Sequence, residues 1–127
     1  MTLDDAAALC LELPETTEGV RWSRRAWFVD GRCFAWERPF SKADLKRFGD
    51  ETPPTLPIVG LSTLDLEDKE AILAGEQPGF FTIPHFDGYP AFLIELGVAE
   101  KAAVREALVD AWLVAAPPPL RDAYLAR

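Results

Sequence analysis

The chain contains no asparagine, one glutamine (Gln77), one histidine (His85) and two cysteines, Cys10 and Cys33. The shortage of side-chain amides removes the groups that read adenine by paired hydrogen bonds, so sequence-specific base reading has little material. One histidine and two distant cysteines supply no ligand set at zinc spacing, and no metal is expected. Two isolated cysteines in a chain without a leader segment read as reduced thiols. No glycine loop of phosphate-cradling pattern occurs, so no cofactor is expected. Gly60-Leu61-Ser62-Thr63-Leu64 lacks the second glycine of a nucleophile elbow. No apolar run approaches the ~18 residues that span a bilayer. The start, Met1-Thr2-Leu3-Asp4-Asp5, is acidic where a signal peptide is basic. The expected location is the cytoplasm, with no membrane partner.

What the chain does contain is the material of one globular domain spanning residues 1–127. Of its 127 residues, 49% are apolar and 27% charged, a balance that supports one core without staples. Leu3, Ala6, Leu9, Cys10 and Leu13 recur at helical steps, with Thr2 and Asp5 placed as a capping box and Pro14 as the stop. Residues 15–23 read as a loop. Asp30-Gly31 between two aromatic runs predicts a hairpin over 26–37, with Val29 facing Arg32, Phe28 facing Cys33 and Trp27 facing Phe34. That register places Ala26, Phe28, Cys33 and Ala35 on one face and Arg25, Trp27, Val29, Arg32, Phe34 and Trp36 on the other. A proline-rich connection follows over 38–57, with a short basic helix capped by Ser41. Strands are expected at 58–62, 80–83 and 91–96, and helices at 66–74, 99–115 and 120–126. This order predicts an α+β domain, an antiparallel sheet opened by the 26–37 hairpin with helices packed on one side.

The formal net charge is −8, which opposes binding of a polyanion. Its distribution is uneven. Between Arg21 and Arg47 eight basic residues face three acidic ones, a net of +5 that leaves −13 for the rest. Trp22, Trp27, Phe34, Trp36, Phe40 and Phe48 interleave with these cations. Stacking aromatics beside cations suit single-stranded nucleic acid, and cations alone suit phosphate. The candidate site is therefore Arg21, Arg24, Arg25, Arg32, Lys42, Lys46 and Arg47 with Trp22 and Trp36. Arg21, Arg24, Arg25, Lys42, Lys46 and Arg47 are expected to form one basic face. The competing reading is that the aromatics fill the core and the arginines solvate its rim. The same aromatic surface would also suit a protein partner, since Trp and Arg dominate interface energetics.

Other chemistry has less support. His85 and Asp87 are spaced for an acid–base pair, but two prolines flank them, and with Tyr89 they read as a polar turn cluster. A small-ligand or enzymatic site centred on His85 is the least supported alternative, and no catalytic residue is assigned. Asp4, Asp5 and Glu12 read as a solvated helix face with acids at the positive end of the helix dipole.

Several segments in order resemble one family. They are Leu13-Pro14 with the acidic turn Glu15-Thr16-Thr17-Glu18-Gly19, then Val29-Asp30-Gly31-Arg32-Cys33-Phe34-Ala35. Phe80-Phe81-Thr82-Ile83-Pro84-His85 and Ala111-Trp112-Leu113-Val114-Ala115-Ala116-Pro117 complete the set. Together they resemble the MmcQ/YjbR-like proteins over nearly the whole length. The resemblance implies a CyaY-like (frataxin-like) α+β fold, also described as a double wing, and a DNA-binding label. Arg32 stands where that family commonly has lysine, and Ser23 where glycine is frequent. The expectation is a non-enzymatic cytoplasmic domain that associates with nucleic acid through residues 21–47, without strong sequence preference.

Overall fold

Residues 1–127 are described by a computed structural model. In chain order the elements are α1 (Leu3–Leu11), β1 (Thr16–Arg21), β2 (Arg24–Val29), β3 (Arg32–Glu37), α2 (Lys42–Phe48) and β4 (Ile58–Ser62). There follow α3 (Leu66–Ala74), β5 (Phe80–Phe81), a 3-10 turn (Pro84–Phe86), β6 (Ala91–Glu95), α4 (Lys101–Ala115) and α5 (Pro118–Ala126). The six strands form one sheet in the order β1-β2-β3-β4-β6-β5, antiparallel throughout. The α+β antiparallel fold is as the sequence predicts.

Residues 15–23 are a correction. They hold the edge strand β1, which pairs along its whole length with β2, from Thr16 opposite Val29 to Arg21 opposite Arg24. The sheet therefore opens one strand earlier than the 26–37 hairpin. The signal was hidden because Thr-Thr-Glu-Gly-Val-Arg has no apolar alternation; an edge strand half in solvent needs little.

The second correction concerns register. Val29 faces Arg32 and Phe28 faces Cys33, but Trp27 faces Ala35 and Ala26 faces Trp36. Phe34 is the extra residue of a β-bulge, which moves everything beyond it to the opposite face. Phe34 and Ala35 both turn towards α1 and α4, and Trp36 joins Ala26, Phe28 and Cys33 on the other side. Its large ring fits there because β4 places Gly60 beneath it. A Cβ at Gly60 would lie 2.6 Å from the Trp36 ring.

The larger apolar layer lies between the sheet and α1 and α4. Trp27, Phe34, Leu61, Phe92, Ile94, Leu108 and Trp112 are fully buried in it. Trp112 donates from Nε1 to the Pro14 carbonyl (3.1 Å), tying α4 to the end of α1. Truncating such a ring costs about 3–5 kcal/mol. The opposite face carries a smaller cluster under the 38–57 segment, with Trp36, Ile58, Phe86 and Leu93 buried and Phe40 and Phe48 packed over them. The capping box predicted by Thr2 and Asp5 forms, and Ser41 caps α2 as predicted, in a box that Asp44 completes.

Candidate functional site

The positions proposed from sequence do not form one surface. Antiparallel pairing carries β1 and β2 to the Trp22–Ser23 turn at one end of the sheet, and β3 returns to that end before α2 begins. Arg21, Trp22 and Arg24 therefore share an end of the molecule with the segment that leads into α2. Arg32 follows Gly31 at the opposite end of the β2–β3 hairpin and leaves the group. Arg25 leaves it too. Its guanidinium is held by both oxygens of Glu18 (3.0 Å each) and by Asp4 (2.7 Å), on the face that packs against α1. The Arg25 hydrogen bonds, together with the Trp27 indole N–H at 3.0 Å, hold the Glu18 carboxyl below its ordinary pKa against the opposing effect of burial. That arginine is a structural clamp.

Trp36 is the third loss. At 1% exposure it is core and presents no face to a base. The bulge at Phe34 is the cause, and no dipeptide pattern announces it. Trp27 and Phe34 are likewise fully buried, as the competing core reading has it. Trp22 is the one exposed tryptophan, at 70%. It and Ser23 make the β1–β2 turn, with φ of 50° and 63°. Left-handed backbone is uncommon for a bulky residue and carries a cost of order 1 kcal/mol. The Arg21 guanidinium carbon lies 4.0 Å from the Trp22 ring centroid and 4.9 Å from that of Trp36. Burial would lower the Arg21 pKa, but the Tyr89 and Cys33 side chains that face it leave it raised. The cation is thus fixed between two indoles, the outer one open to solvent.

On α2, Lys42, Lys46 and Arg47 are exposed, and the two lysines form no ion pair. Arg24 reaches Glu37 at 3.8 Å, a contact long and exposed enough to yield to a ligand, whereas Arg47 lies 3.6 Å from the buried Asp44. Asp44 is buried at the start of α2, accepting from Arg38 (2.9 Å) and from the Ser41 backbone N–H (2.9 Å). The reduced set is Arg21 and Arg24 beside the exposed Trp22 ring, with Lys42, Lys46 and Arg47 exposed on α2, which packs towards the Pro84–Phe86 turn.

His85 is exposed and makes no side-chain hydrogen bond with Asp87 or Tyr89; its ring stands 6.1 Å from that of Phe86. The polar cluster expected from its spacing does not form. What holds this turn is Lys69 of α3, whose Nζ donates to the carbonyls of Phe86 (2.6 Å) and Tyr89 (3.0 Å). Among the helix acids, Asp5 caps α1 and Asp4 pairs with Arg25, and no group of His, Cys, Asp or Glu is placed to hold a metal. No helix is long and apolar enough to cross a membrane.

Fold and surface define a small α+β domain: an antiparallel sheet with its main helices on one face and an exposed Trp22 backed by Arg21 at one end. The chain belongs to the family of uncharacterized protein Rv2570 of Mycobacterium tuberculosis (strain ATCC 25618 / H37Rv), with which it is 42% identical over 128 residues. The match covers 98% of this chain and 96% of the relative. Uncharacterized protein Mb2600 of Mycobacterium bovis is similar to the same extent, 42% over 128 residues with the same coverage. No family model matches the chain, and no solved structure matches it.

Proposed function

We propose that this chain is a non-enzymatic, cytoplasmic nucleic-acid-binding domain of the MmcQ/YjbR-like type, acting through Arg21, Trp22, Arg24, Lys42, Lys46 and Arg47. The observation that carries the reading is the exposed Trp22, held in a left-handed turn and backed by the Arg21 guanidinium at 4.0 Å. An indole fixed in that way stacks on a base without further ordering, while neighbouring Arg24 and the exposed cations of α2 are free to meet phosphate further along a strand. With an acidic remainder, affinity is low and contacts to base edges are few. The family reading gains support from Ser23. It stands where MmcQ/YjbR-like chains frequently have glycine, and its φ of 63° is the conformation glycine adopts without strain.

Titration of labelled single- and double-stranded oligonucleotides at low salt, followed by the anisotropy of the label, tests the reading. Single strands are expected to bind more tightly, and affinity should fall linearly on a log–log plot against salt. Trp22→Ala should weaken every sequence alike, as should charge reversal at Lys42 and Lys46. No binding at low salt overturns the proposal. A second reading, a protein-interaction module, is favoured by Val20, 72% exposed on the edge strand beside Trp22. An open strand edge with two large apolar side chains offers backbone pairing to a partner segment.

A further inference from the structure

A groove of about 420 Å³ opens on the helix-bearing face of the sheet, remote from α2. Two helices make its walls. From α4 come Ala107, Ala111 and Val114, and from α3 comes Ile72; Phe80 of β5 and Phe92 of β6 form its floor. The two phenyl rings lie 5.4 Å apart, inclined by 31°; Phe80 is half-buried and borders the open space, with the fully buried Phe92 behind it. The groove forms because α4 presents small residues on this side, Ala103, Ala107 and Ala111, so that it cannot fill the space beside α3. A space of this size, apolar at the base with a few polar groups at the edge, has the anatomy of a small-molecule site.

The polar groups at its edge share one sign. Asp68 stands in the first turn of α3, and Glu106 and Asp110 lie one turn apart on α4. No lysine or arginine lines the groove. The nearest cations on the same helices, Lys69 and Arg105, form no ion pair with these acids, and Lys69 is committed to Phe86 and Tyr89. Burial pushes the Asp110 carboxyl above its ordinary pKa, and the charges of Glu106 and Asp68 push the same way. Three carboxylates border the apolar space and none forms an ion pair within the chain, although Asp68 accepts from the Leu64 backbone N–H (3.1 Å) and Lys101 and Arg105 flank Glu106 and Asp110 on the outer side of α4.

We propose that the groove between α3 and α4 binds a small organic cation, its apolar body against Phe80, Ile72 and Ala107 and its ammonium among Asp68, Glu106 and Asp110. Neither half suffices alone. A compact hydrated metal ion gains nothing from the apolar lining, and a neutral hydrocarbon gains nothing from the carboxylates and covers part of their solvent. A monovalent alkyl- or arylamine satisfies both, because its charge and its apolar surface are separated along its length as they are in the groove. The site is independent of the Trp22 corner, on the other side of the sheet.

The test compares octylamine, octanol and octanoate by titration followed by amide and methyl NMR of the intact chain, with putrescine as an amine lacking the apolar tail. Octylamine should bind saturably, with shifts confined to Ile72, Phe80, Phe92 and α4. It should bind at least tenfold more tightly than octanol, with octanoate weaker still and putrescine at least tenfold weaker than octylamine. Asp110→Asn should remove most of the amine's advantage over octanol while leaving the octanol affinity within a factor of about two. Equal binding of amine and carboxylate, equal binding of putrescine, shifts away from the groove, or an unchanged amine preference in Asp110→Asn would each overturn the proposal.

Discussion

The ammonium of Lys69 lies 2.6 Å from the carbonyl oxygen of Phe86 and 3.0 Å from that of Tyr89, joining α3 to the turn that precedes β6. The lysine is buried, and that burial lowers its pKa against the milder opposing pull of Asp87. A charged donor shared between two carbonyls does the work that a backbone ladder would do in a regular element. Lys69→Met keeps the bulk and removes the donor. It is expected to lower stability by about 1–3 kcal/mol. Hydrogen exchange should quicken at the amides of Phe86, Asp87 and Tyr89 ahead of those in β4 and β6. Uniform exchange across the sheet and the turn would show that the bond is not what holds the turn.

Asp44 makes a pH-dependent contribution. Burial raises its pKa, but the Ser41 backbone N–H and the Arg38 guanidinium outweigh it, and the folded value lies below the ordinary carboxylate range. With the folded pKa below the unfolded one, the unfolded chain binds the extra proton. The stabilisation is complete above about pH 4 and disappears as pH falls through the folded value. Asp44→Asn should cost about 2 kcal/mol at pH 7, measured by urea midpoint. Its deficit relative to the parent should shrink towards pH 2. A deficit that stays constant over that range would remove Asp44 from the account of acid sensitivity.

The two thiols should differ in reactivity. Cys10 is buried on α1, and burial pushes its pKa up to about 12. Cys33 is half-exposed on β3 and points its Sγ at the Ala35 carbonyl (3.4 Å). Maleimide labelling of the folded chain, read by mass spectrometry, is expected to modify Cys33 alone, with Cys10 labelled only after unfolding. Equal labelling of both in the folded state would mean that α1 opens readily from the sheet.

The β1–β2 turn offers a stabilising substitution. Ser23 carries a φ of 63°, where a side chain is strained and glycine is not. Ser23→Gly should raise stability by about 0.5–1 kcal/mol, the relieved strain exceeding the added freedom of the unfolded chain. Thermal or urea unfolding measures it. A destabilised variant would show that the serine itself supports the turn.

The sequence makes its own limits intelligible. The Asp30-Gly31 hairpin, the Thr2 capping box, the Ser41 cap and the residues of β4 and α3 are legible because each rests on local chemistry: turn residues with positive φ, side chains reaching three residues ahead, short periodic runs. β1 is not, because Thr16–Arg21 obtains its pairing from β2 and its turn from Trp22–Ser23, neither of which has a standard signature. The bulge at Phe34 defeats period-two counting, and with it the assignment of Trp36 to a binding face. The cationic segment was visible as composition, but which arginines are free depends on partners far away in sequence, such as Asp4 for Arg25. The α3–α4 groove is invisible for the same reason, since its walls are more than thirty residues apart.

The fit of Trp36 over Gly60 bears on how this sequence can change. With the ring 2.6 Å from where any Cβ would stand, position 60 cannot acquire a side chain while position 36 keeps its indole, and the ring in turn relies on the bare backbone beneath it. Substitutions at the two sites are therefore ordered, the large residue having to shrink before the small one grows, and their effects on stability will not add. The two positions at the centre of the sheet exclude each other's bulk, so any exchange between them, in either direction, passes through a state in which both are small.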